Sequence, residues 1–187
     1  MWYGVLIMAL VSNYIQGKPL PKRDLTRIKG IIVHRIDVGE DGNEIAKAFS
    51  DTKKYAAGAY TNGNIPYTFI ITKQGEVHQL RPISEITQHA RIYNTEYVGI
   101  AIVGDFTKYA PTEAQWISLV KVCVLLNEGL GYNLIITGHS HLKNASTDLN
   151  KKCPGPFLSL DKLRIEVTDI LKRHRLMVLT LDGIVIS

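Results

Sequence analysis

The sequence lacks the features that define several classes of protein. Among 187 residues there are only two cysteines, too few for a disulfide scaffold. No run of five or more like charges occurs, which argues against a nucleic-acid-binding arm. Internal repeats, low-complexity tracts and Pro/Gly/Ser-rich linkers are also missing. The sequence therefore predicts an ordinary globular protein, with no nucleic acid expected among its partners.

The N-terminus carries a short apolar run that does not make a good targeting signal. The run VLIMALV has no Lys or Arg before it and no clear cleavage site after it, and it is too short to span a membrane. We expect no transmembrane segment and no classical export signal. This segment, residues 1–18, is expected to belong to the fold.

Composition and charge are those of one soluble domain with a good core. Apolar residues make up 45% of the chain and charged residues 21%. The formal net charge is +5 and the sequence pI is about 9.1. This mild basicity favours a polyanionic environment, such as nucleic acid, an anionic membrane or an anionic cell wall, without choosing among them.

Strand-like and helix-like segments alternate along the chain. Apolar β-branched runs predict strands, a capping-box pattern at Thr112 and Gln115 marks the start of one helix, and Asp182-Gly183 is typical of a hairpin turn. We predict an α/β fold, a single domain with a central mixed β-sheet flanked by helices, an extra N-terminal segment and a C-terminal β-hairpin. The predicted elements are strands at 30–36, 97–106 and 133–139, hairpins at 66–80 and 177–187, and helices at 43–57, 111–129 and 159–175.

Two histidines and one cysteine suggest a metal site. Of the six histidines, His34 lies in the strand-like run IIVHRI and His139 ends the run LIITGH. Side chains from the ends of adjacent strands, about 4.8 Å apart, can converge on one ion. Cys153 follows 14 residues after His139 in a proline-rich turn. A His/His/Cys set leaves one tetrahedral position open, as in catalytic zinc sites, although a lone histidine is more often structural.

Cys123, within VKVCVLL, is expected to be a buried core thiol.

Four segments extend this pattern into a family resemblance. In order along the chain they are IIVHRI, IPYTFIITKQGEVHQL, QHARIYNTEYVGIAIVGDF and TGHSHL…KKCPGPF, and together they cover about residues 30–175. They resemble the zinc-dependent N-acetylmuramoyl-L-alanine amidases, the family that includes phage endolysins, cytosolic muropeptide amidases and peptidoglycan recognition proteins. Each segment alone is a weak signal, but four in register are specific.

The resemblance implies a set of site residues. His34, His139 and Cys153 fall on the zinc ligands, and Tyr67 and Lys151 fall on a catalytic tyrosine and lysine of the phage-type enzymes. As alternatives, Tyr67 would be a sheet-surface aromatic and Lys151 a solvated loop cation.

Three further residues are expected to contact the substrate. His89 falls on a histidine that lines the substrate groove in relatives, and Asn94 falls on the asparagine that follows it. Arg35, next to a predicted ligand, would contact substrate carboxylates. A loop-capping role for His89 and an exposed strand-end charge for Arg35 remain open.

The chain also departs from the family pattern. Ala101 stands where some relatives have a glutamate, although the phage-type relatives lack it too. The spacer between His139 and Cys153 is longer than in relatives and contains His141 and Asp148, either of which could compete for the metal. Binding-only recognition proteins usually lose the cysteine ligand, so the presence of Cys153 favours an enzyme.

The resemblance implies zinc-dependent hydrolysis of the amide between the lactyl group of N-acetylmuramic acid and L-alanine in peptidoglycan. The alternatives are a non-catalytic muropeptide-binding module and a regulatory protein that binds a protein partner through residues 1–29 or 176–187. We expect one amidase domain over 1–187, with these two segments as accessory parts. An endolysin of this type would be made in the cytoplasm and would reach the cell wall through a pore made by another protein.

Overall fold

The computed structural model describes residues 20–36, 66–131, 133–144 and 152–185, with backbone only for 176–185. The predicted helix at 43–57 and most of the N-terminal segment lie outside these residues. Within them, five strands and two long helices form one domain with a mixed sheet, which confirms the predicted α/β class. The strands are β1 (Gly30–Ile36), β2 (Phe69–Ile71), β3 (Val77–Gln79), β4 (Tyr97–Val103) and β5 (Ile135–Gly138), and the helices are α1 (Glu113–Leu130) and α2 (Leu160–Val185).

The sheet order is β3-β2-β4-β1-β5, with only β3 antiparallel to its neighbour. All seven residues of β4 are buried, as expected for a parallel strand covered on both faces. The predicted hairpin at 66–80 is confirmed as β2 and β3. Among the described strands, β5 pairs only with β1 and lies at the edge of the sheet, so the prediction of a central strand at 133–139 is wrong.

Helices α1 and α2 cover one face of the sheet. Side chains alternate along each strand, so Ile31 and Val33 join the main apolar cluster with the helices, whereas Ile32 and His34 point to the other face. The capping box of α1 is confirmed, because Thr112 and Gln115 each accept a hydrogen bond from the other's backbone N–H. His34 therefore lies on the sheet face opposite α1 and α2.

The prediction of a C-terminal β-hairpin is wrong. Helix α2 continues to Val185, through the segment whose Asp182-Gly183 pair suggested a turn. Extending an existing helix adds one hydrogen bond for each residue that is fixed, while a new hairpin needs a partner sheet to be stable. The single glycine costs only about 1 kcal/mol in a helix, too little to stop it.

The buried Arg23 connects the N-terminal part of the described chain to the rest of the domain by hydrogen bonds. The guanidinium of Arg23 donates to four backbone carbonyls, those of Ile83, Glu85, Asn94 and Tyr97. Burial lowers the pKa of Arg23 to about 10, which leaves it charged at neutral pH. No helix in the described ranges is both long and apolar enough to cross a membrane.

Candidate metal centre

His34, near the end of β1, and His139, directly after β5, lie level with each other on two adjacent strands. Strands β1 and β5 are parallel, and Val33 pairs with Gly138, so each histidine is the next residue beyond that pair. Their ring centroids are 4.7 Å apart, and the residues are 1% and 8% exposed. The parallel register therefore produces the convergence that the spacing of the two histidines could only suggest.

Cys153 reaches the same place from the loop before α2. Its carbonyl accepts a 2.8 Å hydrogen bond from the backbone N–H of Ser140, directly after His139. Gly138 allows this approach, since a Cβ there would lie 2.8 Å from Cδ of Pro154. The missing side chain at the end of β5 thus lets the cysteine loop pack against the histidine turn.

The three side chains form a compact donor set. Their ligand atoms lie within 4.8 Å of one another, and all three residues are buried. Cys153 Sγ lies 3.9 Å from His34 Nδ1, close to the roughly 3.6 Å expected for nitrogen and sulfur at adjacent corners of a zinc tetrahedron. The backbone N–H of Arg35 also points to Sγ at 3.5 Å, and such a donor favours the thiolate form that binds metal. Two imidazoles and a thiolate suit zinc, so the residues present fit that ion.

His89 lies directly behind His34. Its Nδ1 is 3.0 Å from His34 Nε2, and its own Nε2 is 3.2 Å from the carbonyl oxygen of Tyr97. Burial lowers the pKa of His89 to about 3, and the charge of Arg23 adds to this effect, so its imidazole is neutral at physiological pH.

Asn94 holds the loop that carries His89. Its side-chain oxygen accepts hydrogen bonds from the backbone N–H groups of His89 and Ala90, and its amide donates to Gln88. Both His89 and Asn94 are 6% exposed. The two residues therefore lie beneath the donor set, and the predicted contact of either with substrate stays a prediction.

Two other predicted site residues, Tyr67 and Arg35, lie near the donor set. The ring of half-buried Tyr67 is 5.0 Å from that of His34 and packs against the apolar residues of β2 and β4. The guanidinium of Arg35 pairs with Asp105, whose pKa is lowered to about 2 by the hydroxyl of Thr107 first and by Lys108 and Arg35 as well. A substrate contact by Arg35 would have to share or break this ion pair.

Two predicted features lie outside the described residues, namely Lys151 and the possible competing ligand Asp148. The other possible competitor, His141, is exposed and is not part of the buried donor set. Ala101 pairs in register with His34, so the position where some relatives have a glutamate lies beside the site.

Sequence reasoning missed the contacts that support the donor set, which are those of His89 with His34, of Arg35 N–H with the thiolate, and of Gly99 with His89. One signal was present, because Gly99 lies inside a strand of mostly β-branched residues, and a strand glycine often marks a close approach.

Comparison with known proteins identifies a matching family. The family model described as N-acetylmuramoyl-L-alanine amidase matches residues 24–156. No curated protein matches the chain.

Solved structures show the same fold. An endolysin amidase, LysCS, from Clostridium intestinale is 21% identical with a TM-score of 0.66, over 84% of this chain and 93% of that one. The endolysin of Thermus scotoductus bacteriophage Ph2119 is 20% identical with a TM-score of 0.60, over 82% of this chain and 88% of that one. A mutant of Drosophila peptidoglycan recognition protein LB, in complex with tracheal cytotoxin, is 19% identical with a TM-score of 0.58, over 76% and 82% of the two chains.

Proposed function

Because the chain belongs to the N-acetylmuramoyl-L-alanine amidase family, we propose that it is a zinc-dependent hydrolase of peptidoglycan. The family and the structural neighbours support either cleavage or binding of peptidoglycan. The finer proposal is hydrolysis of the amide between the lactyl group of N-acetylmuramic acid and L-alanine. The observation that carries it is the buried His34, His139 and Cys153 donor set.

The proposed roles follow from position. His34, His139 and Cys153 would hold the ion and leave one tetrahedral corner for water or substrate. When bound, zinc would activate water and polarise the scissile carbonyl. The peptide N–H of Arg35 would keep Cys153 in its thiolate form, and the low exposure of all three residues would limit competing water.

The catalytic helpers act on the charge that develops during the reaction. Attack on an amide places negative charge on the carbonyl oxygen, and a well-placed donor there is worth about 10²–10³ in rate. Tyr67, whose ring lies beside His34, is the proposed phenol donor. Lys151, two residues before a ligand, is proposed as the cationic partner of the same oxygen. Either could protonate the leaving amine.

Turbidity of isolated cell walls and release of free L-alanine amino groups test this function. The wild-type protein should lower the turbidity and release amino groups, chelation should stop both, and added zinc should restore both. A protein that carries zinc but releases no amino groups from any wall preparation would contradict the proposal.

A binding-only role is the second candidate, because one structural neighbour is a peptidoglycan recognition protein in complex with tracheal cytotoxin. Elemental analysis separates the two functions. Binding of muropeptides by a protein without zinc would favour this candidate over the enzyme.

A further inference from the structure

On the basis of the proposed zinc function, we propose that His89 is a positioning residue that fixes the tautomer of His34. In this arrangement, the His89 ring is held by a hydrogen bond to the backbone carbonyl of Tyr97. Gly99, which has no side chain, leaves space for the ring. The ring then forces His34 to carry its proton on Nε2 and to turn the lone pair of Nδ1 toward the metal.

The hydrogen-bond directions follow from one carbonyl. The oxygen of Tyr97 can only accept, so His89 Nε2, 3.2 Å away, must donate. A neutral imidazole has a single N–H, which leaves His89 Nδ1 as an acceptor. His34 Nε2, 3.0 Å from that atom, must then be the donor. The proton of neutral His34 is thereby assigned to Nε2.

The other nitrogen of His34 is the one that faces the donor set. His34 Nδ1 lies 3.9 Å from Cys153 Sγ. A metal ligand needs a lone pair at that atom, and the chain of bonds from Tyr97 through His89 supplies it. Metal-binding histidines are commonly oriented by a partner on their second nitrogen, and here that partner is another imidazole.

Gly99 makes room for the His89 ring. A Cβ at this position would lie 2.8 Å from Cγ and 2.9 Å from Nδ1 of His89, which is closer than such atoms pack. The side chain of any other residue would push the ring away from His34. The backbone of His89 is held from the other side by the Asn94 oxygen, at 3.0 Å.

Arg23 holds the same carbonyl in place. Its guanidinium donates to the Tyr97 oxygen at 2.6 Å, so this oxygen accepts from both Arg23 and His89. The direction of the carbonyl is therefore set before any metal binds, and His34 is preorganised as a ligand.

Zinc affinity and the tautomer of His34 test the proposal. In the folded His89→Leu variant, competition with a chromophoric chelator should show zinc binding about 10- to 100-fold weaker than in the wild type. The His89→Asn variant, which keeps an oxygen acceptor near the Nδ1 position, should recover part of the loss. The matched control is His78→Leu, the same change at a half-buried histidine on β3, which should leave the zinc affinity unchanged.

A second readout needs neither zinc nor activity. Nitrogen-15 NMR of the metal-free wild-type protein should show His34 as the Nε2–H tautomer, and the His89→Leu variant should show a mixture of both tautomers. An Nδ1–H tautomer of His34 in the wild type would overturn the proposal, even if the variants failed to fold.

A double-mutant cycle tests the part played by Gly99. Gly99→Ala should weaken zinc binding in the wild-type background but have little effect when added to His89→Ala, where no ring remains to be displaced. An equal loss in both backgrounds would show that Gly99 acts through the strand and would remove it from the proposal.

The outcome for His89 is separable from that for the proposed function. If the wild-type protein binds zinc and cleaves peptidoglycan while folded His89→Leu keeps full zinc affinity, only the positioning role fails. If the wild-type protein binds no zinc, the proposed function fails, while the tautomer measurement still reports on the contact between the two histidines.

Discussion

The two cysteines of this chain are equally hidden but lie in opposite environments. Cys123 is 0% exposed in the apolar cluster between α1 and the sheet, and burial raises its pKa to about 12. Cys153 is 2% exposed but lies against the ring nitrogen of His34 and the backbone N–H of Arg35. Burial alone penalises a thiolate, and nearby donors or a cation can reverse that penalty. The neighbours of each sulfur, and not its exposure, distinguish the core thiol from the proposed metal ligand.

Among the changes that test this comparison, Cys153→Ser should have the largest effect, which is on zinc affinity. A serine hydroxyl stays protonated at neutral pH and is a poor zinc ligand, so zinc affinity should fall by more than the roughly 100-fold typical of outer-shell changes. Zinc-dependent activity should be lost while the metal-free protein stays folded. Zinc content and circular dichroism check this, and full zinc occupancy would redirect the ligand assignment to His141 or Asp148.

Tyr67→Phe should lower kcat about 10²–10³-fold while zinc content stays the same, because the change removes the proposed donor to the developing oxyanion and leaves the three proposed ligands in place. Steady-state kinetics with a soluble muropeptide provide the measurement. Tyr93→Phe is the matched control, since that hydroxyl donates to the carbonyl of Lys143. Unchanged kcat in Tyr67→Phe would favour the alternative that this ring only covers the sheet.

Cys123→Ser should have the opposite effect to the same substitution at Cys153. A hydroxyl placed in the apolar cluster costs about 1–3 kcal/mol when it lacks a good partner, so the free energy of unfolding should fall while zinc content is preserved. Chemical denaturation and elemental analysis of the two serine variants give a direct comparison. Loss of zinc from Cys123→Ser would contradict the assignment of Cys123 as a core thiol with no part in metal binding.

The last test of this comparison is the pH dependence of stability. The thiol of Cys123 has an ordinary pKa of 9.0 when exposed in the unfolded chain and a pKa of about 12 in the folded protein, so above pH 9 the unfolded chain binds fewer protons than the folded one. Stability should therefore fall with rising pH through this window, by up to about 1.4 kcal/mol for each pH unit from this group. Denaturation of the wild type and Cys123→Ala at several alkaline pH values isolates this contribution, and parallel curves would contradict it.

Much of the fold was predictable because its strands and α1 carry strong local patterns. The buried β-branched runs of β1 and β4 and the Thr112–Gln115 capping box identify elements with little help from tertiary contacts. The C-terminal hairpin was mispredicted because the Asp-Gly turn signal is local, whereas helix α2 already precedes it and extends cooperatively. The edge position of β5 depends on strand pairing, which local sequence does not encode.

The sequence was enough to predict which residues form the donor set, namely His34, His139 and Cys153. It was not enough to predict the contacts that support them. His34 and His89 are 55 positions apart, and the bond between their rings depends on the loop that Asn94 holds and on the space at Gly99. Such contacts are products of packing, which local sequence does not encode.

The hydrogen bonds from Arg23 to four backbone carbonyls limit how far the N-terminus of this domain can be truncated. The family match begins at residue 24, so a chain trimmed to that boundary would lose the guanidinium one position earlier. The carbonyls of Ile83, Glu85, Asn94 and Tyr97 would then lack this donor. The Tyr97 carbonyl also orients His89, so truncation at the family boundary should affect the metal centre as well as the stability of the domain. A fusion or a minimal domain should therefore keep Arg23 together with the residues just before it, because the carbonyl of Pro21 also accepts a hydrogen bond from the backbone N–H of Ile86.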